Sequence, residues 1–161
     1  MAEFWDWAVD AYSREGVAPA CLRLQDDHAQ NVPLLLWGAW ASLHGVRIDA
    51  ALAARAVGMS RVWADEVIVP LRRVRQRLKA ALHDGDEAGR LALRERVKAV
   101  ELDAEKTLML QLEALVSAGS VIPRECRATA VGEGLIALYR EWSGGDDAEV
   151  LSELTQALTK G

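Results

Sequence analysis

Cysteine, proline and aromatic residues other than tryptophan are scarce in this chain. Two cysteines, four prolines, two tyrosines and one phenylalanine occur in 161 residues. Cys21 and Cys126 lie far apart with no C-x-x-C spacing, which excludes a disulfide framework and a zinc ribbon. They read as free thiols in a reducing cytoplasm, and a buried cysteine packs as a small hydrophobe. The N-terminal Met-Ala-Glu-Phe-Trp-Asp has no basic stretch of the secretory kind, so a cytoplasmic protein is expected. The longest apolar run, Val32 to Ala41, is too short to span a bilayer, so no membrane insertion is expected. Positive charge is in deficit: the net charge of −5 disfavours a general nucleic-acid binder, although a local basic patch is compatible with it. With 51% apolar and 27% charged residues, the chain is globular, and its length suits one domain with a real core.

Strand signals are short, whereas Ala, Leu, Arg and Glu dominate. The fold class expected is all-α, a single helical domain over 1–161. Helices are expected at about 3–14, 18–29, 33–44, 50–57, 61–82, 87–117 and 123–142, with a short last one to 159. Gly16, Gly45, Gly58 and Gly119 are read as stops, Asp49 and Ser60 as caps, and Pro19 as a first-turn residue. Pro70 predicts a kink or break inside 61–82. His83-Asp84-Gly85-Asp86 and Ser143-Gly144-Gly145-Asp146 are the turns.

Two long stripes stand out. Val67, Leu71, Val74, Leu78 and Leu82 step by three or four, as do Val97, Val100, Ala104, Leu108, Leu112 and Leu115. Joined by a tight turn, these segments predict a long antiparallel helical hairpin. The segment 33–44 is apolar almost all round, so it belongs in the middle of a bundle. The tryptophans at 5, 7, 37, 40, 63 and 142 are expected to supply much of the core.

Charge is ordered along the hairpin. Five basic residues and no acid lie between Arg72 and Lys79. Arg72, Arg75 and Lys79 form one stripe beside the apolar face, and Arg73 and Arg77 lie on the far flank. Glu101 and Glu105 edge the apolar stripe of the facing segment. A carboxylate there needs a partner, because an unpaired buried charge is costly, and Arg72 and Arg75 are the obvious ones. One reading is a structural ion network clamping the hairpin. The other is a pocket for a small anionic or phosphorylated ligand, to which arginine forks are suited.

A second cluster is Gln25, Asp26 and His28. Gln25 and His28 share a helical face with Cys21 and Leu24, so both are expected to point inward. Histidine can act as base or metal ligand. The chain has no Glu-x-x-His pair, and a bundle di-metal site needs two. The lone histidine reads as a hydrogen-bonded core residue, with no metal and no cofactor implied.

Residues 50–67 echo a helix-turn-helix: the stretch Ala53 to Ser60 carries the small residue, the turn glycine Gly58 and the capping serine Ser60 at suitable spacing. Asp65 and Glu66 on the would-be recognition helix would repel phosphates, so DNA binding is the weakest reading. A Walker loop, a G-x-S-x-G elbow and a glycine-rich phosphate cradle are all missing.

Phe4-Trp5-x-Trp7, Gly16-Val17, Cys21-Leu22-x-Leu24-Gln25-Asp26-x-His28, Val32-x-Leu34-Leu35-Leu36, and Trp63 with Pro70-Leu71-Arg72, Arg75 and Leu78-Lys79 form a series of blocks. The stretch Glu101 to Glu105 adds a weaker one. Together they resemble a family of small, uncharacterised proteobacterial proteins, a domain of unknown function. The resemblance covers roughly residues 4–115 and departs from the family pattern at Asn31 and Pro33. It brings no activity with it, but its arginine and lysine block coincides with the stripe that helical geometry selects. The function expected is a non-enzymatic binding or adaptor protein with a protein partner, homodimerisation being compatible with it. A bundle binding a small anionic ligand, with or without catalysis, comes second.

Overall fold

A computed structural model describes residues 3–83, 85, 87–145 and 147–160. Asp84, Asp86 and Asp146, which the sequence assigns to turns, lie outside the described residues. The fold is all-α apart from one two-stranded ribbon. The helices are α1 (Glu3–Ser13), α2 (Val17–His28), α3 (Val32–Leu43), α4 (Ala50–Trp63), α5 (Val69–Arg77), α6 (Glu87–Leu115), α7 (Arg127–Ser143) and α8 (Ala148–Thr159). The strands are β1 (Val46–Arg47) and β2 (Ser120–Val121). Contacts gather into two units, one of residues 1–58 with 109–161 and one of residues 59–108. The unit boundaries fall inside α4 and inside α6.

The first unit is built around α3. Nine of its twelve residues are buried, Leu34 to Ser42 without a gap. Asn31 starts it by accepting a hydrogen bond from the Leu34 amide at 3.0 Å, and Pro33 sits in the first turn, where no amide is needed. α7 lies against α3, α8 against α7 and α2, and α1 against α3. The approach of α7 depends on glycine. A Cβ on Gly38 would stand 2.4 Å from Leu138 Cδ1, and one on Gly134 would stand 3.0 Å from Ser42 Oγ. At α1, the Phe4 amide donates to Glu113 Oε2 at 3.1 Å, and Phe4 packs on Trp40 with ring centroids 5.4 Å apart. Arg127 Nη1 donates to the Leu43 carbonyl at 3.2 Å, so a cation closes the C-terminus of α3.

The ribbon was not legible in the sequence. Val46 pairs with Val121 and Arg47 with Ser120, antiparallel. Two residues per strand give no periodicity to detect. Gly119 permits the pairing, since a Cβ there would fall 2.2 Å from Val46 Cγ1.

Two sequence expectations are corrected, and the interruption expected at Pro70 takes a specific form. Gly58 and Ser60 do not separate two helices: α4 runs unbroken through both, and Gly58 has no positive φ. The run Ala50-Ala51-Leu52-Ala53-Ala54 is strongly helix-forming, so one glycine does not stop it. The helix-turn-helix echo at 50–67 therefore has no turn. Pro70 acts by widening the helix: Ala64–Ile68 is a π-helical segment, and the Val69 amide reaches the Ala64 carbonyl. That accommodates a ring that would clash with an ordinary turn. Finally, only Trp37 and Trp40 are fully buried. Trp5, Trp7, Trp63 and Trp142 are half-buried. Trp142 illustrates why, since its Nε1 donates 2.9 Å to the Ala29 carbonyl while the ring straddles the surface.

Candidate functional site

The second unit contains the Arg–Glu cluster. α5 and α6 run antiparallel, because Arg72 meets Glu101 and Glu105 whereas Leu78, six residues later, meets Arg90. Arg72 Nε lies 2.9 Å from Glu101 Oε1, and Arg72 Nη2 lies 3.1 Å from Glu105 Oε1. Arg75 Nε donates to Glu101 Oε2, and its Nη2 stands 3.3 Å from Oε1 of the same carboxylate. Both oxygens of Glu101 are thus taken, each by a guanidinium. Glu101 is 6% exposed. Burial pushes its carboxyl up, but the hydrogen bonds from Arg75 and Arg72, with their charges, outweigh that and hold it below the ordinary carboxylate value. Glu105 goes the other way. Burial raises it and the charge of Glu101 adds to the rise, and together these outweigh the pull of Arg72 and the charge of Arg75. The Arg75 guanidinium is held more firmly protonated by its hydrogen bond to Glu101.

The hairpin has further ties that the sequence reading missed. Arg90 Nη1 donates to the Leu78 carbonyl and so closes the C-terminus of α5, while its Nη2 holds Glu87 at 3.2 Å. Arg94 pairs with Glu95 at 2.8 Å. Arg90 and Arg94 share the helical face of Glu101, a spacing that pointed to them.

Lys79 does not join the cluster. It follows the end of α5, is exposed, and makes no ion pair among the described residues. The helix stops at Arg77 rather than 82, so the i+7 alignment that placed Lys79 in the stripe has no helix to carry it. Arg73 and Arg77 are exposed, as expected of the far flank. The apolar stripes are only partly covered. Leu78, Ala104 and Leu108 are buried, whereas Val74, Leu82 and Val100 are about half exposed. Between α5 and α6 the inner position is filled by arginine and glutamate, and that displaces the valines to the flank.

Gln25, Asp26 and His28 belong to the first unit. Asp26 is exposed, and Gln25 and His28 are half-buried rather than inward-pointing. Gln25 Nε2 reaches Asp26 Oδ1 at 3.4 Å, a neighbour contact on the surface of α2. His28 lines a cavity of about 220 Å³ with Ala20, Leu24, Glu149, Ser152 and Glu153. A larger one of about 520 Å³ lies between α2 and α8, bounded by Arg14, Pro19, Arg23, Glu153, Gln156 and Lys160. Its arginines are engaged: Arg14 holds Asp10 at 2.8 Å and lies over Trp7, and Arg23 pairs with Glu153. Cys21 is fully buried, and burial pushes its thiol up to about 12, which removes it as a nucleophile. Among the described residues no group of three His, Cys, Asp or Glu is placed to hold a metal. No helix is long and apolar enough to cross a membrane.

The model of a family described as "Protein of unknown function (DUF2390)" matches residues 3–112 of the chain. No curated protein and no solved structure matches it. The matched span is well over half of the sequence and includes both arginines and both glutamates of the cluster. The chain belongs to this family.

Proposed function

For this member of the DUF2390 family, we propose a non-enzymatic role as a bacterial cytoplasmic binding or adaptor protein, whose docking element is the α5–α6 hairpin. One observation carries the reading: Val74, Leu93 and Val100 are 41–52% exposed on a hairpin whose buried carboxylate, Glu101, is already matched. Contiguous apolar exposure of this kind marks interaction surfaces. The pairing of Arg72 and Arg75 with Glu101 and Glu105 speaks for a structural network. Both arginine forks are spent on carboxylates, which leaves little for a small anion. The unpaired thiols of Cys21 and Cys126 suit a reducing compartment.

Site-specific photo-crosslinking in intact cells tests the reading. A benzophenone side chain at position 100 should give protein adducts of defined mass, and the same group at the exposed position 27 of α2 should not. Adducts absent at position 100, or equal at both positions, would overturn it.

A further inference from the structure

One side of the hairpin is apolar on both helices, whereas the exposed Leu91 and Leu102 lie on the other side of α6 alone, and the chemistry of the shared side specifies the partner. Arg72 and Arg75 mark the line along which α5 faces α6, and Glu101 and Glu105 mark it on α6. At about 100° per residue, Leu71, Val74 and Leu78 lie to one side of that line on α5. Because the helices are antiparallel, Leu93, Val97 and Val100 lie to the same side on α6. Leu78 is buried, Leu71 and Val97 are half-buried, and Val74, Leu93 and Val100 are exposed. Two parallel ridges with a shallow trough between them can seat a third helix.

Charge borders this face. Nine of the nineteen basic residues but only four of the twenty-four acids lie between Val69 and Val100, in a chain whose net charge is −5. Two of those four acids, Glu87 and Glu95, are engaged by Arg90 and Arg94. Arg73, Arg77, Lys79, Arg96 and Lys98 are exposed and make no ion pair among the described residues. On α6, Arg96 lies next to Val100, and on α5 the exposed Arg77 lies on the outer face, one turn on from Val74. A lipid surface is a poorer match, because no aromatic residue occurs between Ala64 and Leu138 to sit at the headgroup level.

We infer that this face seats an acidic amphipathic helix of a partner protein, its apolar stripe in the trough and its carboxylates against Arg77 and Arg96. The inference rests on the adaptor reading and adds the chemistry of the partner.

The test uses the full chain and a labelled helical peptide with leucine at every third or fourth position and glutamate between. Controls replace glutamate with lysine, or leucine with serine. The Leu/Glu peptide should bind at least about tenfold more tightly than either control, and more weakly as salt rises. Val100→Asp should abolish binding, and Arg77→Glu with Arg96→Glu should weaken it by about tenfold, while circular dichroism stays unchanged. Equal binding of Leu/Glu and Leu/Lys peptides, or none, would overturn the inference. So would sedimentation with vesicles containing anionic lipid in preference to the peptide. Self-association that Val100→Asp abolishes, with no peptide binding, would assign the face to a second copy instead. Photo-crosslinks at position 100 without peptide binding would leave the adaptor reading standing and remove only the acidic-helix partner.

Discussion

Arg75 and Glu101 are joined across the α5–α6 hairpin by two hydrogen bonds, one from Nε to Oε2 and one from Nη2 to Oε1 at 3.3 Å. Glu101 is the one charged side chain recorded as buried among the described residues, and its second oxygen is shared with Arg72. A charge this far from water is tolerated because its partners are fixed. The pair is thus a clamp, and its removal is a measurable test of what holds the second unit together.

Arg75→Ala should destabilise the protein by about 1–3 kcal/mol, the range for a buried acceptor that loses a charged donor, since Arg72 keeps one Glu101 oxygen. Replacing Arg72 and Arg75 together strands Glu101, which raises the loss to about 3–5 kcal/mol. Arg73→Ala, equal in charge but exposed, should cost at most about 0.5 kcal/mol. Urea melts of the three variants give the comparison. Equal midpoints for Arg73→Ala and Arg75→Ala would show that the cluster is not structural.

Acid should separate Glu101 from its neighbours. Its folded-state carboxyl is held below the ordinary value, so the stability it contributes is complete above about pH 4.3, the unfolded value, and falls as pH drops through the folded one. Glu105 is raised, and its contribution has the opposite sign: stability is lost as pH rises through its folded value. Glu101→Gln should therefore be less stable than wild type at neutral pH, with the gap closing below about pH 4. Glu105→Gln should remove the opposing portion of the profile. Thermal melts across this range read both, and a Glu101→Gln gap independent of pH would contradict the assignment.

Gly58→Ala should stabilise the protein by about 0.5–1 kcal/mol, because Gly58 is inside α4 with nothing within 4 Å of a Cβ. A turn glycine with positive φ would give destabilisation instead, which makes this single variant a check on the loss of the helix-turn-helix. Gly38→Ala is the counterpart. Its Cβ meets Leu138 Cδ1 at 2.4 Å, so overpacking of about 1–3 kcal/mol is expected.

One thiol should react with a disulfide reagent in the folded protein and two after unfolding. Cys126 is exposed, whereas Cys21 is buried and its thiol is pushed up to about 12. Rapid modification of both thiols in native buffer would mean that α2 opens locally.

Sequence alone determined the features that depend on neighbours along the chain. Periodicity of three and four predicts the helices, and the apolar run of α3 predicts its burial, because a helix apolar on all sides has nowhere else to go. The same periodicity paired Arg72 and Arg75 with Glu101 and Glu105, since each sits on the inner edge of its own stripe. Tertiary structure decided the rest. Gly58 and Ser60 carry stop and cap signals that act only if the backbone actually turns there, and the alanines around them keep it helical. Val74, Leu82 and Val100 have the spacing of core residues, yet burial requires a facing element, and the facing position is occupied by arginine and glutamate. Lys79 left the cluster when α5 ended at Arg77. The two-residue strands exist only because residues seventy-five apart in sequence, Val46 and Val121, are brought side by side. Helix formation is a local equilibrium that the sequence states directly, whereas burial and pairing depend on which distant segment arrives.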